Sequence, residues 1–204
     1  MELEAIKKKI SARTPGLMDC QRFFAVLVPL VRRQDELYLL YEVRVRTMHT
    51  QPGEVCFPGG KMEPGETAQQ CALRETWEEL AIPEENIHLL GQLDFIAHRA
   101  NFLMQPVLAV VEEKALEHMK KNPAEVDETF LVPLSYLLEH SPREYEYPLI
   151  PSPGEDFPYE LVGIPRSYPW RAGRENVPVY TWQGHPIWGL TARITRHLVR
   201  LLNE

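Results

Sequence analysis

Two runs of apolar, β-branched and aromatic side chains, Phe23 to Val31 and Leu37 to Arg44, flank the polar stretch Arg32-Arg33-Gln34-Asp35-Glu36. Such residues fit a pleated, buried surface while the charged stretch between them stays in water, so this part of the chain reads as a β-hairpin with a polar loop. Val55-Cys56-Phe57 gives a further short strand, after which Pro58-Gly59-Gly60 breaks regular structure and opens a glycine-containing loop. Ile87 to Ile96 and Phe102 to Val111 are two more strand candidates. Phe130 to Leu134 is another, leading into a short helix that ends at Leu138. Strands with these connections predict an α/β fold with a mixed sheet.

Helical signals lie between and after these strands. Residues 2 to 13 read as a short charged helix whose Lys7-Lys8-Lys9 run is a solvated face. From Thr67 the pattern is helical: Thr67 and Gln70 fit a capping box, and Pro83 ends the helix. Ile187, Leu190, Ile194, Leu198 and Leu201 are spaced as one stripe of a terminal helix over Ile187 to Leu202. Between them, residues 142 to 178 are rich in proline and are expected to form irregular loops around a hairpin. Without internal repeats, 204 residues suit a single domain over 1–204, with the N-terminal helix and the proline-rich insertion as additions.

Composition narrows the function classes. With 44% apolar and 25% charged residues the chain is an ordinary globular one. A formal charge of −7 argues against a nucleic-acid coat or a membrane-surface protein. No apolar run approaches the length needed to span a bilayer, and Met1 to Ile10 has no secretory character. Cys20, Cys56 and Cys71 are odd in number and lack metal-ligand spacing, which suits a reducing compartment and predicts a cytoplasmic protein. No His/Asp arrangement points at Cys56 or Cys71, so both are read as structural.

The chemistry concentrates on the helix after Thr67. Glu75, Glu78 and Glu79 fall within five residues and share one side, where they repel each other. Leu73, Trp77 and Leu80 fall roughly opposite and are expected to form the core face, aiming the carboxylates outward. Ala68 and Ala72 lie on the acidic side and leave room for a metal and a ligand. Taken alone, the helix also admits a plain solvated reading with one Arg74–Glu78 pair. The preceding loop shifts the balance: Gly59, Gly60 and Gly65 permit close backbone approach, and Glu66 adds a carboxylate just before the helix. A hard divalent cation prefers such oxygen ligands and keeps waters for a phosphate substrate, so Mg²⁺ or Mn²⁺ is expected.

Gly60, five residues, Glu66, seven residues, then Arg74-Glu75-Thr76-Trp77-Glu78-Glu79 resembles the Nudix box. Thr76 replaces an aliphatic residue of that pattern. Ala81 replaces a glycine, which speaks against a left-handed cap at the helix end. The resemblance implies an α/β/α sandwich that hydrolyses a diphosphate linked to another moiety. By motif position, Glu75, Glu79 and Glu78 are the implied metal ligands, Arg74 orients a carboxylate, and Glu66 supports the loop–helix junction. Glu125 and Glu128 are candidates for a general base outside the box, or simply two exposed acids before a strand.

The segment upstream refines this. Leu39-Leu40, Arg44, His49, Gly53 and Phe57-Pro58-Gly59-Gly60 resemble the signature of coenzyme A diphosphatases, although Glu42, Val45 and His49 depart from it. Glu125 to Leu134 and Ile187-Trp188-Gly189-Leu190-Thr191-Ala192 look like the same subgroup. The implied reaction is cleavage of CoA or acyl-CoA into 3′,5′-ADP and 4′-phosphopantetheine or its acylated form. Arg44, His49 and the Gly59-Gly60 backbone are the implied substrate contacts, and His49 also reads as an ordinary loop histidine. Two alternatives remain open: hydrolysis of another nucleoside diphosphate derivative such as ADP-ribose or NADH, and a non-catalytic nucleotide-binding module. The family also implies a small-molecule partner and a homodimer.

Overall fold

The computed structural model describes residues 2–204. The chain runs α1 (Leu3–Ser11), β1 (Arg22–Arg33), β2 (Glu36–Arg44), β3 (Val55–Cys56), β4 (Gly59–Lys61), α2 (Ala68–Leu80), β5 (Ile87–Gln92), β6 (Ile96–His98) and β7 (Phe102–Val111). It continues through α3 (Glu113–His118), β8 (Val126–Pro133), α4 (Leu134–Glu139), β9 (Arg143–Leu149), β10 (Gly173–Trp182), β11 (His185–Trp188) and α5 (Gly189–Asn203).

β1 is the axis of the molecule. It pairs antiparallel with β2, from Arg33↔Glu36 to Leu30↔Leu39, across a tight turn in which Gln34 adopts φ 55°. On its other edge it runs parallel to β7, from Arg22↔Phe102 to Val31↔Val111. The remaining pairs of this eight-stranded sheet are antiparallel, so the sheet is mixed as expected.

Successive strand side chains point to opposite faces, and both faces of β1 are covered. Ala25, Leu27 and Val31 pack with Ala68, Cys71, Ala72 and Leu80 of α2. Val26, Val28 and Leu30 pack with Ala192, Ile194 and Leu198 of α5. The result is the α/β/α sandwich, with one helix covering each face. α1 buries none of its residues, in line with a solvated charged helix.

Three expectations need correction. Gly59 and Gly60 do not sit in a loop: they form β4, which pairs with β1 through Val26↔Gly59 and Ala25↔Gly60. The third strand candidate begins earlier, at Val126, because it pairs along β2 as far as Arg44. The terminal helix begins at Gly189, and Ile187 belongs to β11. The proline-rich segment forms the expected hairpin around an irregular stretch. β9 and β10 pair from Val179↔Arg143 to Gly173↔Leu149 in a second sheet of order β11-β10-β9. Pro148 lies on the edge strand β9, where a missing N–H is tolerated. Tyr180 and Ile187 of this sheet share the core beneath α5.

Candidate active site

α2 starts as its residues dictate: the Gln70 N–H donates to Thr67 Oγ1 at 3.3 Å, and the Thr67 N–H donates to Gln70 Oε1 at 2.9 Å. Its packed face keeps Leu80, with Leu73 against it, but is turned away from the expected Trp77. Ala68, Cys71, Ala72, Thr76, Glu79 and Leu80 are buried, whereas Trp77 is 55% exposed. Small side chains let the helix approach β1 and β4 closely, and this outweighs the size of the indole. The buried Thr76 hydroxyl donates to the Ala72 carbonyl at 2.7 Å, which satisfies the polar atom that replaces an aliphatic group. Consequently the carboxylates do not all point outward: Glu79 is 2% exposed.

Two glycines make that burial feasible. The Gly59 N–H donates to Glu79 Oε2 at 2.8 Å. A Cβ at Gly59 would lie 2.3 Å from the Ala25 carbonyl oxygen, and one at Gly60 would lie 2.4 Å from the Glu75 carboxyl carbon. β4 therefore acts as a backbone shelf for two carboxylates of α2.

Arg74 organises the others. Its guanidinium donates to both oxygens of Glu66, at 2.9 and 3.1 Å, to Glu75 at 2.8 Å and to Glu78 at 3.2 Å. Glu66 also accepts the Glu63 N–H at 2.8 Å, which ties the loop to the helix. At the far end, Ala81 takes the left-handed conformation after all, with φ 53° and ψ 33°. The buried Ile82 behind it holds that geometry against the alanine's own preference.

Two acids join this group from other strands. Glu42 on β2 is 1% exposed; its Oε1 accepts from Cys56 Sγ at 3.2 Å, and its Oε2 has no partner among the described residues. Arg44 Nε is likewise buried without one. The segment before β8 is tied to the end of α2 by the Lys120 N–H to Leu80 O bond and the Asn122 N–H to Glu79 O bond. This places Glu125 close enough to act electrostatically on Glu42, Glu75 and Glu79. Burial first, and then mutual repulsion, holds the carboxyls of Glu79, Glu42 and Glu75 above the ordinary carboxylate range.

Of the expected site residues, Arg74, Glu75, Glu78, Glu79, Gly59, Gly60, Arg44 and Glu125 are gathered here. Glu128 is not: it lies within β8 and pairs with His185 of β11 at 3.6 Å. His49 is exposed in the loop of residues 45–54. Glu42 was legible only as a departure from the upstream signature, and burial is what identifies it as part of the site.

The donor chemistry fits a hard divalent cation: every donor is oxygen, the carboxylates repel one another, and one buried oxygen is unpaired. Among the described residues no three His, Cys, Asp or Glu side chains form a ready metal-binding group.

A NUDIX domain model matches residues 21–151. The mitochondrial coenzyme A diphosphatase of Mus musculus is 36% identical over 180 residues, covering 87% of this chain and 77% of that protein. The peroxisomal coenzyme A diphosphatase of the same organism is 37% identical over 135 residues, covering 66% of this chain and 56% of that protein. The chain thus spans about half the length of some curated relatives it matches, 51% in the case of Nudix hydrolase 3 of Caenorhabditis elegans. A crystal structure of a MutT/nudix family protein from Enterococcus faecalis matches with TM-score 0.50 at 14% identity, covering 100% of this chain and 71% of that one, which supports the fold alone. With its box, its sandwich and these matches together, the chain belongs to the Nudix hydrolase family, and within it is similar to proteins named coenzyme A diphosphatases.

Proposed function

We propose that the protein hydrolyses the diphosphate bond of coenzyme A or acyl-CoA, giving 3′,5′-ADP and (acyl-)4′-phosphopantetheine, with Mg²⁺ or Mn²⁺ as cofactor. The observation that carries the reaction class is the buried carboxylate group at the α2–β4 contact, which is electrostatically unfavourable without a cation. The substrate assignment rests on the upstream signature and on the relatives' names.

In this reading Glu75, Glu78 and Glu79 hold the metal. A bound divalent ion supplies charge neutralisation at the phosphates and activation of a water for in-line attack. Arg74 fixes Glu75 and Glu78 from behind and does not touch substrate. Glu125, rather than Glu128, is the general-base candidate outside the box, because it alone of the two faces the carboxylate group. Arg44, half-buried with an unpaired Nε, is the cation nearest this centre on β2 and is suited to a phosphate oxygen. His49, exposed on the 45–54 loop, is the second proposed substrate contact.

The three free cysteines fit a cytoplasmic protein. No described helix is long and apolar enough to cross a membrane. The shared core beneath α5 favours reading the chain as one domain.

The deciding experiment offers CoA, acetyl-CoA, ADP-ribose, NADH and nucleoside triphosphates to the protein with Mg²⁺ or Mn²⁺, and resolves products by mass. Cleavage of CoA to 3′,5′-ADP is expected. Cleavage of another substrate with CoA untouched would overturn the subgroup assignment, and no metal-dependent turnover at all would favour a non-catalytic binding module.

A further inference from the structure

On the opposite side of the main sheet from α2, a cleft of about 340 Å³ opens between the β6–β7 hairpin, the second sheet and the start of α5. Its walls are unusually aromatic. His98 stacks on Phe102 with ring centroids 4.4 Å apart and planes 20° apart. Tyr147 of β9 lies under the Arg99 guanidinium, 5.5 Å from ring centroid to cation. Trp188, the last residue of β11, also lines the cleft and is 43% exposed. An indole left this open at a concave surface is suited to a planar partner.

Charge says which part of a ligand belongs there. Arg99 and Arg193 both bind Glu175, at 3.1 and 3.0 Å, and Glu54 stands on the rim held by Gln51 at 3.0 Å. Two guanidinium groups and two carboxylates thus line the cleft, which is near neutral. It is poorly suited to a free phosphate and well suited to an uncharged flat ring. The Ala100 N–H donates to His98 Nδ1 at 3.1 Å, so the neutral imidazole carries its proton on Nε2, a donor for a ring nitrogen.

Backbone bonds tie the cleft wall to the strands that carry the carboxylate centre. Gln51 and Glu54 of its wall belong to the loop that follows Arg44; the Arg44 N–H donates to the Glu54 carbonyl at 3.0 Å. Thr191 at the cleft donates to the Val55 carbonyl at 3.0 Å, one strand before the Gly59 shelf.

We infer that this cleft is the subsite for the purine base of the substrate's nucleotide half, with Trp188 as its stacking platform. The inference deepens the proposed function and rests on its assignment of an adenine-nucleotide substrate. It gives a binding role to Trp188, whose motif otherwise speaks only for helix packing.

Stacking an adenine on an indole quenches its fluorescence, and this reads the site without turnover. AMP and adenosine 3′,5′-bisphosphate are expected to quench the intrinsic fluorescence of the wild-type protein, and 4′-phosphopantetheine is not. Trp188→Phe should lose most of the quench while calorimetry shows the nucleotide still bound, because a phenyl ring keeps the stack. Trp170→Phe, on the 150–172 loop, should keep it. Trp188→Ala should weaken nucleotide binding and raise KM for CoA about tenfold, with kcat falling less than KM rises. A quench that survives in Trp188→Phe, or unchanged nucleotide affinity in Trp188→Ala, overturns the subsite. CoA hydrolysis without any nucleotide quench removes the subsite and leaves the proposed function standing. Quench lost in Trp188→Phe in a protein that does not cleave CoA does the reverse.

Discussion

α2 and α5 cover opposite faces of the same sheet, yet they are built from different material. α5 buries Ile194, Leu198 and Ala192 and satisfies its two buried hydroxyls, with Thr191 Oγ1 donating to the Val55 carbonyl at 3.0 Å and Thr195 Oγ1 donating to the Thr191 carbonyl at 2.9 Å. α2 buries alanines, a cysteine, a threonine and Glu79, with Leu80 as its one large apolar group. A helix chosen for stability alone would place large apolar groups where α2 places small ones and a carboxylate. The contrast separates two uses of burial: α5 removes apolar area from water, and α2 gives up that gain to hold charge close to the β4 backbone.

The contrast breaks first at Glu79. Glu79→Gln is expected to lower turnover about 10³-fold while keeping the Gly59 hydrogen bond, since a metal-assisted step is worth several kcal/mol. The same change should leave the metal-free protein at pH 8 as stable as wild type or more so, because glutamine is neutral without the proton that the buried Glu79 carboxyl must take up on folding. Unaltered turnover with Mg²⁺, or a protein that no longer folds, would contradict this separation of roles.

Leu198→Ala is the counterpart on α5. Leu198 is 1% exposed, so its truncation should destabilise by about 2–5 kcal/mol in chemical denaturation. Turnover measured well below the midpoint should stay near wild type. If activity fell as far as it does in Glu79→Gln, the two helices would not be doing different jobs.

Linkage sharpens the comparison further. Glu79, Glu42 and Glu75 hold protons in the fold at pH values where the unfolded chain has released them. The folded state then binds more protons than the unfolded one above pH 4.5, so stability in chelator falls as pH rises from that value through the raised folded pKa values. Saturating Mg²⁺ should reverse the loss, because metal binding favours the deprotonated carboxylates. The melting temperature gap between Mg²⁺ and EDTA is expected to widen by roughly 5 °C from pH 5.5 to 8.5, equivalent to about 1–2 kcal/mol in a chain of this size. A gap that does not depend on pH would remove the buried-charge account of α2.

The smallest effect is at the end of α2. Ala81→Gly should stabilise by about 0.5–1 kcal/mol, since glycine adopts the left-handed cap without a Cβ penalty, and turnover should not change. A loss of stability would mean that Ile82 and Pro83 do not hold the cap in this geometry.

Much of the architecture was legible from pattern. The β1–β2 hairpin, β7, the capping box at Thr67 and the stripe of α5 follow from local periodicity and side-chain stereochemistry. Arg74 and Glu66 were placed in their supporting roles by the spacing of the box. What failed were inferences about which side of an element is inside. Helical angles put Trp77 in the core, but the close approach of small residues to β4 turns Glu79 inward instead. The spacing of Glu125 and Glu128 made them equivalent candidates. The ties from Lys120 and Asn122 to α2 bring one to the centre, while strand alternation along β8 sends the other to His185.

The sequence by itself determined the main strands and helices, the acidic box and the family, because these depend on neighbours within a few residues. Only the tertiary structure decided that Glu42 joins the site, that Gly59 and Gly60 form a shelf, and that Trp188 lines a cleft. Each of these depends on contacts between segments far apart in the chain, and no local spacing encodes which distant backbone a side chain will meet.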